Sequence, residues 1–500
     1  MTVFARRRFL TMAASAVALA PVPACARAPE RSLRPTPRPQ LRTAAGVATA
    51  HPAEAIIARA RLGGSVAYGV IDLSNGQLVE SLDPGAGHPP ASVAKALTAA
   101  YALDALGSGF RFRTRLVATG PVVEGVVQGD LVLAGGGDPV LDTDALAQMV
   151  GELRARGVRS VRGRLLVWGG ALPKVPRIAD DQVVQAGYNA SVSGLNLNFN
   201  RVHFGWQRSG GGYATSMDAR SGRYQPQVSV VRMQVVSRAQ PVYTHGLRDG
   251  VESWTVAASA LGNGGARWLP VRQPELHAGD VLRALAAAQG VQMPVPVLSA
   301  VAPVGGTVLA EHASEPLQEL LRDMLQFSTN ITAEAIGMRA TLARGQRPPD
   351  LAASARAMSA WAQTRHAMGS TALVDHSGLG AGSRISMPDL ARFFAAHASG
   401  PLPGLLRDHP MRDANGNIVR NHPVKVAAKT GTLHFVSALG GLMQAGDGAR
   451  LAFAVVAADL PRRAAIPEAE RDRPGGARAW AQRARQMQNA LIERWAVVHQ

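Results

Sequence analysis

The sequence is poor in the residues that most often build disulfide frameworks and metal centres. It contains a single cysteine, Cys25, which excludes an internal disulfide and a cysteine-ligated metal site. None of its 13 histidines falls in a His-Glu-x-x-His motif, which disfavours a metallopeptidase. The glycine-rich stretch from Gly129 to Pro139 is not followed by Gly-Lys-Ser/Thr, which disfavours nucleotide binding. We therefore expect neither a metal nor a cofactor.

Lysine is scarce as well, because only four of the 53 basic residues are lysines and the rest are arginines. Arginine stays protonated in proteins, whereas a buried lysine can lose its proton and act as a base. Lys95 and Lys429 lie in short motifs that are described below. Lys174 has no motif around it, and Lys425 is expected to be an exposed strand residue. The first two lysines are therefore the candidates for a chemical role.

The formal net charge of +18 is spread unevenly along the chain. Residues 1–50 hold eight arginines against one glutamate, and the other basic residues are scattered rather than clustered with aromatics. A nucleic-acid-binding protein would instead show a concentrated basic patch. The sequence therefore disfavours nucleic acid as a partner. The positive charge would suit an acidic cell-wall polymer as well as it would suit nucleic acid.

The N-terminus is typical of an export signal. The motif Arg6-Arg7-x-Phe9-Leu10 precedes an apolar run that ends at Val22 and is too short to cross a bilayer. The motif resembles a twin-arginine signal, although these arginines also suit ordinary secretion. Cleavage after Ala26 and a lipid anchor at Cys25 both remain open. We expect a signal peptide over residues 1–26, a periplasmic protein and no stable transmembrane segment.

Five hundred residues are too many for one hydrophobic core and indicate two or three domains. Residues 27–50 are rich in proline and arginine and are predicted to form an extended linker. Residues 51–118 and 305–500 combine alanine-rich helical segments with strands, whereas residues 119–304 consist of short, glycine-rich β segments. This pattern predicts an α/β (α+β) domain, with an antiparallel sheet flanked by helices, that is interrupted by inserted β-rich domains.

Individual elements follow from the spacing of apolar residues and from turn signals. Helices are expected at 51–61, 91–106, 315–344, 351–368 and 477–498. Strands of the split domain are expected at 65–71, 78–80, 424–428, 436–443 and 451–457. Within the insertion, strands are expected at 163–168, 195–200 and 228–236.

Ser92 and Lys95 are predicted to lie in the first turns of the helix over 91–106, on one face. A serine hydroxyl is a weak nucleophile that needs a neighbouring base. To be that base at neutral pH, Lys95 must have its pKa lowered from about 10.4 by roughly three units, which costs about 4 kcal/mol. Burial, the positive end of the helix and a second cation such as Lys429 could each contribute.

Ser328-Thr329-Asn330 lies between two predicted helical segments and is a candidate third element of the same site. Ser328 could pass a proton between Lys95 and a leaving amine, and the amide of Asn330 could hold the backbone of a substrate. Taken alone, Ser-x-Asn is a weak motif that also suits a polar junction between helices. Its position after Ser92 and before Lys429 favours the functional interpretation.

Lys429-Thr430-Gly431-Thr432 ends the first of the three C-terminal strands. The edge of such a strand can hold an extended peptide through main-chain hydrogen bonds. Lys429 and Thr430 can bind a carboxylate, and Gly431 lets a substrate approach closely. The backbone N–H groups of Ser92 and Thr432 could form an oxyanion hole.

Ser-x-x-Lys followed by Lys-Thr-Gly is the signature of serine penicillin-binding proteins and β-lactamases. Longer stretches resemble the penicillin-binding protein 4 type of D-Ala-D-Ala carboxypeptidase/endopeptidase. They are Pro90-Ala91-Ser92-x-x-Lys95, Gly129-Asp130-Leu131, Gly136-Gly137-Asp138-Pro139, Asp375-x-Ser377-Gly378-Leu379, Lys429-Thr430-Gly431-Thr432-Leu433 and Val436-Ser437-Ala438.

This resemblance covers most of residues 50–500 and implies a serine transpeptidase/β-lactamase-like domain split around two nested domains. It also implies an acyl-enzyme on Ser92, with peptidoglycan peptides as substrates and β-lactam antibiotics as ligands. The balance between carboxypeptidase and endopeptidase activity, and the oligomeric state, stay open.

The sequence departs from the family pattern at two places. Gly380-Ala381 stands where the family has Ser-Arg, so the contact of that arginine with the peptide side chain is in doubt, although Arg384 is near enough to substitute. The acidic segment of the inserted domain is reduced to Ala179-Asp180-Asp181 without tryptophan. Asp180 or Asp181 could bind a diaminopimelate amine, but a solvated acidic loop suits these residues better.

Two other functions remain as alternatives. A β-lactamase would share the acylation chemistry, but it would place Ser-x-Asn far closer to its nucleophile and would need a glutamate-bearing loop to activate water. No clear loop of that kind lies between Asn330 and Lys429. A non-catalytic cell-wall-binding protein with the same fold would be marked by a broken motif, and all three motifs are intact.

Overall fold

Ten α-helices and twenty strands occur in residues 51–413 and 415–499, the part of the chain that this computed structural model describes. The helices are α1 (Ala53–Ala60), α2 (Ala94–Leu106), α3 (Thr143–Ala155), α4 (Pro274–Ala288), α5 (Leu317–Phe327), α6 (Asn330–Ala343), α7 (Leu351–His366), α8 (Met387–Ala396), α9 (Leu460–Ala464) and α10 (Ala477–Val498). Short 3-10 helices lie at Ala91–Val93, Leu197–Phe199, Ala258–Ala260, Leu402–Leu405 and Glu468–Glu470.

The strands belong to several separate sheets. In chain order they are β1 (Ser65–Asp72), β2 (Leu78–Leu82), β3 (Arg113–Ala118), β4 (Val122–Val123), β5 (Val126–Val127), β6 (Leu131–Gly135), β7 (Ser160–Val161), β8 (Leu165–Trp168), β9 (Arg201–Ser209), β10 (Gly212–Asp218), β11 (Val231–Val236), β12 (Tyr243–Arg248), β13 (Val251–Ala257), β14 (Gly264–Pro270), β15 (Pro296–Leu298), β16 (Thr307–Ala313), β17 (Arg407–Asp408), β18 (Lys425–Leu433), β19 (Val436–Gln444) and β20 (Arg450–Ala458).

The largest sheet joins the two ends of the described chain, in the order β17-β18-β19-β20-β1-β2, and all its neighbours are antiparallel. Residues of β20 alternate between two apolar cores: Ala454 and Val456 pack on the side of α2 and α8, and Val455 packs on the side of α10. Because both faces are covered, the strand is apolar throughout rather than alternating. The predicted antiparallel sheet flanked by helices is confirmed.

A second group of sheets lies between the two parts of this domain in the chain. A five-stranded sheet has the order β15-β8-β6-β3-β16, and three three-stranded sheets are formed by β4-β5-β7, β10-β9-β14 and β11-β13-β12. Helices α3 and α4 pack on the five-stranded sheet through a core that includes Leu146 and Val281. In this sheet β3 and β16, which are far apart in the chain, pair with each other. The bounds expected for the inserted domains, residues 119–304, stay a prediction.

The predicted strand at Leu195–Asn200 is wrong, since this segment contains a 3-10 turn instead. Asn198 and Asn200 have φ of 51° and 51°, in the left-handed region that asparagine tolerates better than most residues. Their side chains bind nearby backbone: Asn200 donates to the carbonyl of Ser191, and Asn198 accepts from the N–H of Thr143. The alternation of leucine and asparagine therefore reflects hydrogen bonds of the asparagine amides to backbone groups and not the two faces of a sheet.

The predicted signal peptide at 1–26, the lipid anchor at Cys25 and the linker at 27–50 lie outside the described residues. Across residues 51–413 and 415–499, no helix has both the length and the apolar character needed to cross a membrane. The same residues contain no group of three or more histidine, cysteine, aspartate or glutamate side chains arranged to hold a metal ion.

Candidate active site

Ser92 lies on a tight turn, and two segments that contain glycine pack closely against it. The predicted helix over 91–106 begins as a 3-10 turn at Ala91–Val93 and continues as α2. A Cβ atom on Gly378 would lie 1.8 Å from the carbonyl oxygen of Ala91, and one on Gly431 would lie 3.0 Å from the backbone nitrogen of Ser92. Both segments can approach the turn only because these residues lack a side chain.

Lys95 is completely buried and contacts three groups of the site. Its Nζ lies 2.9 Å from Ser92 Oγ, 2.7 Å from Asn330 Oδ1 and 2.9 Å from the carbonyl oxygen of Ser377. Burial, reinforced by the charge of Lys429, lowers the pKa of Lys95 to about 7.

These contacts suit an uncharged amine. The Asn330 and Ser377 oxygens are acceptors only, so they take the two N–H bonds of a neutral lysine. The lone pair of Lys95 then faces Ser92 Oγ, whose hydroxyl can donate to it. The arrangement can therefore move a proton from Ser92 to Lys95, as the spacing of the two residues predicts.

Two buried carboxyl groups support the loop that contacts Lys95. Glu334 on α6 accepts hydrogen bonds from the N–H groups of His376 and Ser377 at 2.8 and 2.9 Å. Asp375 accepts from the N–H groups of Gly378 and Gly380 at 2.6 and 2.5 Å. Burial raises the pKa of both carboxyl groups, that of Glu334 to about 8.

The prediction from sequence did not include Glu334. Its signal was present, however, because it is the one acidic residue in a helix whose neighbours Ala333, Ala335 and Ile336 are all buried. An acid at such a position must find hydrogen-bond donors inside the protein. Glu334 finds them in the backbone of the loop that carries Ser377.

Lys429 and Ser328 form a second pair on the other side of the site. Lys429 Nζ donates to Ser328 Oγ at 3.0 Å and to the carbonyl oxygen of Thr430 at 2.8 Å. Burial, together with the charge of Arg407, lowers the pKa of Lys429 to about 8. Ser328 ends α5 with φ of 57°, and this conformation directs the chain into α6 at Asn330.

Asn330 links the site to the inserted region. Its Oδ1 accepts from Lys95, and its Nδ2 donates to the carbonyl oxygen of Tyr188 at 3.0 Å. The structure therefore brings Ser92, Lys95 and Asn330 together, with Ser328 hydrogen-bonded to Lys429.

One edge of β18 is open beside the site. The short strand β17 pairs only with Ala427 and Ala428, and within the described residues no other strand pairs with the remainder of that edge, Lys429–Leu433. Thr430 and Thr432 point into solvent from this part of the strand. An extended peptide can therefore add to the edge, as predicted for Lys429-Thr430-Gly431-Thr432.

A cavity of about 320 Å³ lies at the Leu433 end of this edge. Asp181, Arg384 and Arg463 bring charged groups to its wall. Asp181 forms an ion pair with Arg463 at 2.9 Å, and Arg384 donates to the carbonyl oxygen of Ala381 at 2.6 Å. Arg384 thus lies beside the residue that replaces the family arginine.

The remaining candidate residues lie away from the site. Asp180 is an exposed residue beside Arg177, unlike Asp181. Lys174 pairs with Glu275 at 2.9 Å, and Lys425 is exposed on β18 as predicted.

Comparison with known proteins supplies independent information. The sequence model of a family described as "D-Ala-D-Ala carboxypeptidase 3 (S13) family" matches residues 50–473. A D-alanyl-D-alanine carboxypeptidase of Actinomadura sp. (strain R39) is 29% identical over 422 residues, which cover 77% of this chain and 76% of that protein. A carboxypeptidase DacB of Mycolicibacterium smegmatis is 28% identical over 475 residues, which cover 89% of this chain and 86% of that protein.

Solved structures show a similar fold. The crystal structure of penicillin binding protein 4 (dacB) from Haemophilus influenzae matches with a TM-score of 0.69 at 20% identity. The match covers 81% of this chain and 93% of the other. A second structure of that protein, in complex with a β-lactam, matches with a TM-score of 0.67.

Proposed function

The chain belongs to the D-Ala-D-Ala carboxypeptidase 3 (S13) family, and on that premise we propose that it hydrolyses D-Ala-D-Ala peptides of peptidoglycan through an acyl-enzyme on Ser92. The observation that carries the proposal is the 2.9 Å contact between Ser92 Oγ and the buried amine of Lys95. The intact Lys-Thr-Gly strand beside it supports the same function. The predicted signal at 1–26 would place the enzyme in the periplasm.

In acylation, Ser92 Oγ attacks the carbonyl carbon of the penultimate D-alanine while its proton moves to Lys95. The N–H groups of Ser92 and Thr432 stabilise the negative charge that develops on the carbonyl oxygen. The C–N bond then breaks, and the proton reaches the leaving amine through Ser328. Water later attacks the ester with Lys95 as base, which releases the shortened peptide and restores the Ser92 hydroxyl.

The same proposal extends to β-lactams as ligands of the site. A β-lactam carries an amide carbonyl for Ser92 and a carboxylate for Lys429 and Thr430, so it can follow the same path to an acyl-enzyme. The complex of the Haemophilus influenzae protein with a β-lactam supports this proposal by its similar fold. A β-lactamase would differ in the rate of the second step, because it would release the acyl group quickly.

The cavity at the Leu433 end is proposed to hold the side chain of the third peptide residue. Diaminopimelate ends in a carboxylate and an ammonium group, whereas lysine ends in an ammonium group alone. The wall offers Arg384, Arg463 and Arg471 for a carboxylate and Asp181 for an ammonium group. This charge distribution favours diaminopimelate.

We expect the purified enzyme to release D-alanine from two peptides that end in D-Ala-D-Ala, one with diaminopimelate and one with lysine at the third position. The ratio of kcat/KM should favour diaminopimelate by about tenfold or more, which corresponds to about 1.4 kcal/mol. Free D-alanine is measured with a coupled oxidase. Arg384→Gln should reduce the ratio, whereas Arg177→Gln serves as a matched control outside the lining of the cavity.

Failure to release D-alanine from either peptide would contradict the proposed activity. Rapid turnover of penicillin without D-alanine release would instead support the β-lactamase alternative, and binding of cell-wall material without either reaction would support the non-catalytic alternative. Equal rates on both peptides would contradict only the assignment of the cavity.

The rate of acylation by a penicillin should depend on pH in a bell shape. It should rise through about pH 7, because Lys95 must be neutral to accept the proton, and fall above about pH 8, because Lys429 must be charged to bind the carboxylate.

Lys429→Gln removes a positive charge beside Lys95, so the pKa of Lys95 rises and the acidic limb of the profile moves to higher pH. The rate at pH 7.5 should also fall by about 10- to 100-fold, since a hydrogen bond to a charged group is lost.

The profile is measured with a fluorescent penicillin between pH 5.5 and 9.5. Lys425→Gln removes an exposed lysine from the same strand and provides the control, which should keep the wild-type profile. An acidic limb that stays in place in Lys429→Gln would show that the two lysines are not coupled through their charges.

A further inference from the structure

A second cavity, of about 710 Å³, lies at the opposite end of the open edge of β18. Its wall is formed by the end of α5, β17 and the residues that follow it, the middle of β18 and one face of α10. Ser328, Lys429 and Thr430 line it directly. The cavity is therefore continuous with the site but is separate from the cavity that Leu433 and Arg384 border.

The direction of a bound peptide follows from these positions. In the proposed reaction, the leaving amine receives its proton through Ser328, and the carboxylate beside that amine binds Lys429 and Thr430. These three residues face the larger cavity, whereas Leu433 at the other end faces the smaller one. The acyl half of a substrate thus extends toward Leu433, and the leaving group enters the larger cavity.

The lining of this cavity carries more positive than negative side chains. Arg407, Arg412 and Arg485 join Lys429, against the carboxylates of Asp408 and Asp413. The Asp413 carboxylate is already bound by the backbone and side chain of Asn417. His409 adds no charge at neutral pH, because burial lowers its pKa.

Arg485 is the arginine whose place in the fold best suits a ligand. It is exposed on α10, a helix of 22 residues, and it lines the cavity together with Lys429. Arg412, in contrast, donates to the carbonyl oxygen of Gly416 at 2.7 Å and so helps to shape its own turn. A guanidinium group held on a helix can bind a carboxylate through two parallel hydrogen bonds.

The size and charge of the cavity exceed what a single D-alanine needs. Cavities of roughly 300–1,000 Å³ hold drug-sized ligands, whereas D-alanine has one methyl group and one carboxylate, and Lys429 and Thr430 already bind that carboxylate. The additional cations therefore have no partner in a leaving D-alanine.

We propose that Arg485 is the specificity-determining residue of a leaving-group subsite that selects peptides with a second carboxylate beyond the one next to the scissile bond. The inference rests on the proposed function, because it assigns the leaving group of that reaction. Such a leaving group is supplied by a second peptide stem, which carries carboxylates on its other residues, and not by a single D-alanine.

Two synthetic peptides with the same acyl half test the proposal, one with D-alanine and one with D-2-aminopimelate as the leaving group. The second adds a distant carboxylate on a flexible chain and leaves the rest unchanged. We expect kcat/KM to be at least tenfold higher for the aminopimelate peptide. Arg485→Glu should abolish this preference and change cleavage of the D-alanine peptide by less than about twofold, and Arg485→Gln should give an intermediate preference.

Arg478→Glu makes the same charge change on the same helix, outside the lining of the cavity, and should keep the wild-type preference. A preference that survives Arg485→Glu, or an equal loss on both peptides, would overturn the proposal. A wild-type enzyme without preference would overturn it as well, while leaving the proposed function intact. Cleavage of neither peptide by the wild type would count against the proposed function itself. Thermal melting of each variant verifies that it is folded.

Discussion

Ser92→Ala is expected to reduce covalent labelling by a fluorescent penicillin, and release of D-alanine, to background. The substitution removes the Ser92 Oγ atom that lies 2.9 Å from Lys95 Nζ, and this is the atom that would form the ester. Ser92 is half-buried, and alanine fits the same turn without new atoms. The loss should therefore be chemical, with little change in stability.

Mass mapping of the labelled wild type should place the adduct on the peptide that contains Ser92. Ser237→Ala changes an exposed serine of the inserted region and serves as the control, which should label normally. A label on any other serine, or undiminished labelling of Ser92→Ala, would contradict the assignment of the nucleophile and with it the proposed mechanism.

Much of the split domain could be predicted because its elements carry strong local signals. Strand β20 is a long apolar run between turns, and α10 begins and ends at the residues expected from its pattern. The helix pair α5 and α6 follows the predicted segment at 315–344, with the break at Ser328. Where a segment is buried on both faces or amphipathic over several turns, its sequence predicts the element well.

The errors and omissions arise where the determining contacts are distant in sequence. Leu195–Asn200 alternates like a strand, but its asparagines bind backbone groups that no local pattern reveals. The Ser377 carbonyl that contacts Lys95 is a backbone atom, and a backbone atom has no sequence signature. The two cavities likewise depend on segments far apart in the chain: Asp181 and Arg384 line one of them, and Lys429 and Arg485 line the other.

Lys95→Arg is expected to slow acylation by a penicillin by about 10³-fold or more, even though it retains the positive charge. General-base catalysis contributes roughly 10²–10⁴ to a rate, and arginine cannot lose a proton at any pH that the protein tolerates. The wild-type lysine can do so because burial and Lys429 lower its pKa to about 7. The rate of labelling is measured at pH 7.5 and again at pH 9.

The pH comparison separates two roles of the residue. If Lys95 is the base, the Lys95→Arg rate stays low at both pH values, and Lys95→Met, which has neither charge nor base, is equally slow. If the site needs only a cation there, Lys95→Arg acylates nearly as fast as the wild type and Lys95→Met alone fails. The second result would contradict the proton transfer proposed for Ser92 and Lys95.

The buried position of Lys95 makes a stability control essential. Its Nζ fits among Ser92, Asn330 and the Ser377 carbonyl, and a larger guanidinium group overpacks that space at a cost of typically 1–3 kcal/mol. Lys95→Met is nearly isosteric and avoids this strain, so a folded Lys95→Met that still fails to acylate isolates the chemistry from the packing. Lys425→Arg, an exposed lysine on β18, should leave both the melting temperature and the acylation rate unchanged. These variants separate the effect on folding from the effect on proton transfer. If a folded Lys95→Met and Lys95→Arg both acylate slowly, the site requires the unprotonated amine of Lys95.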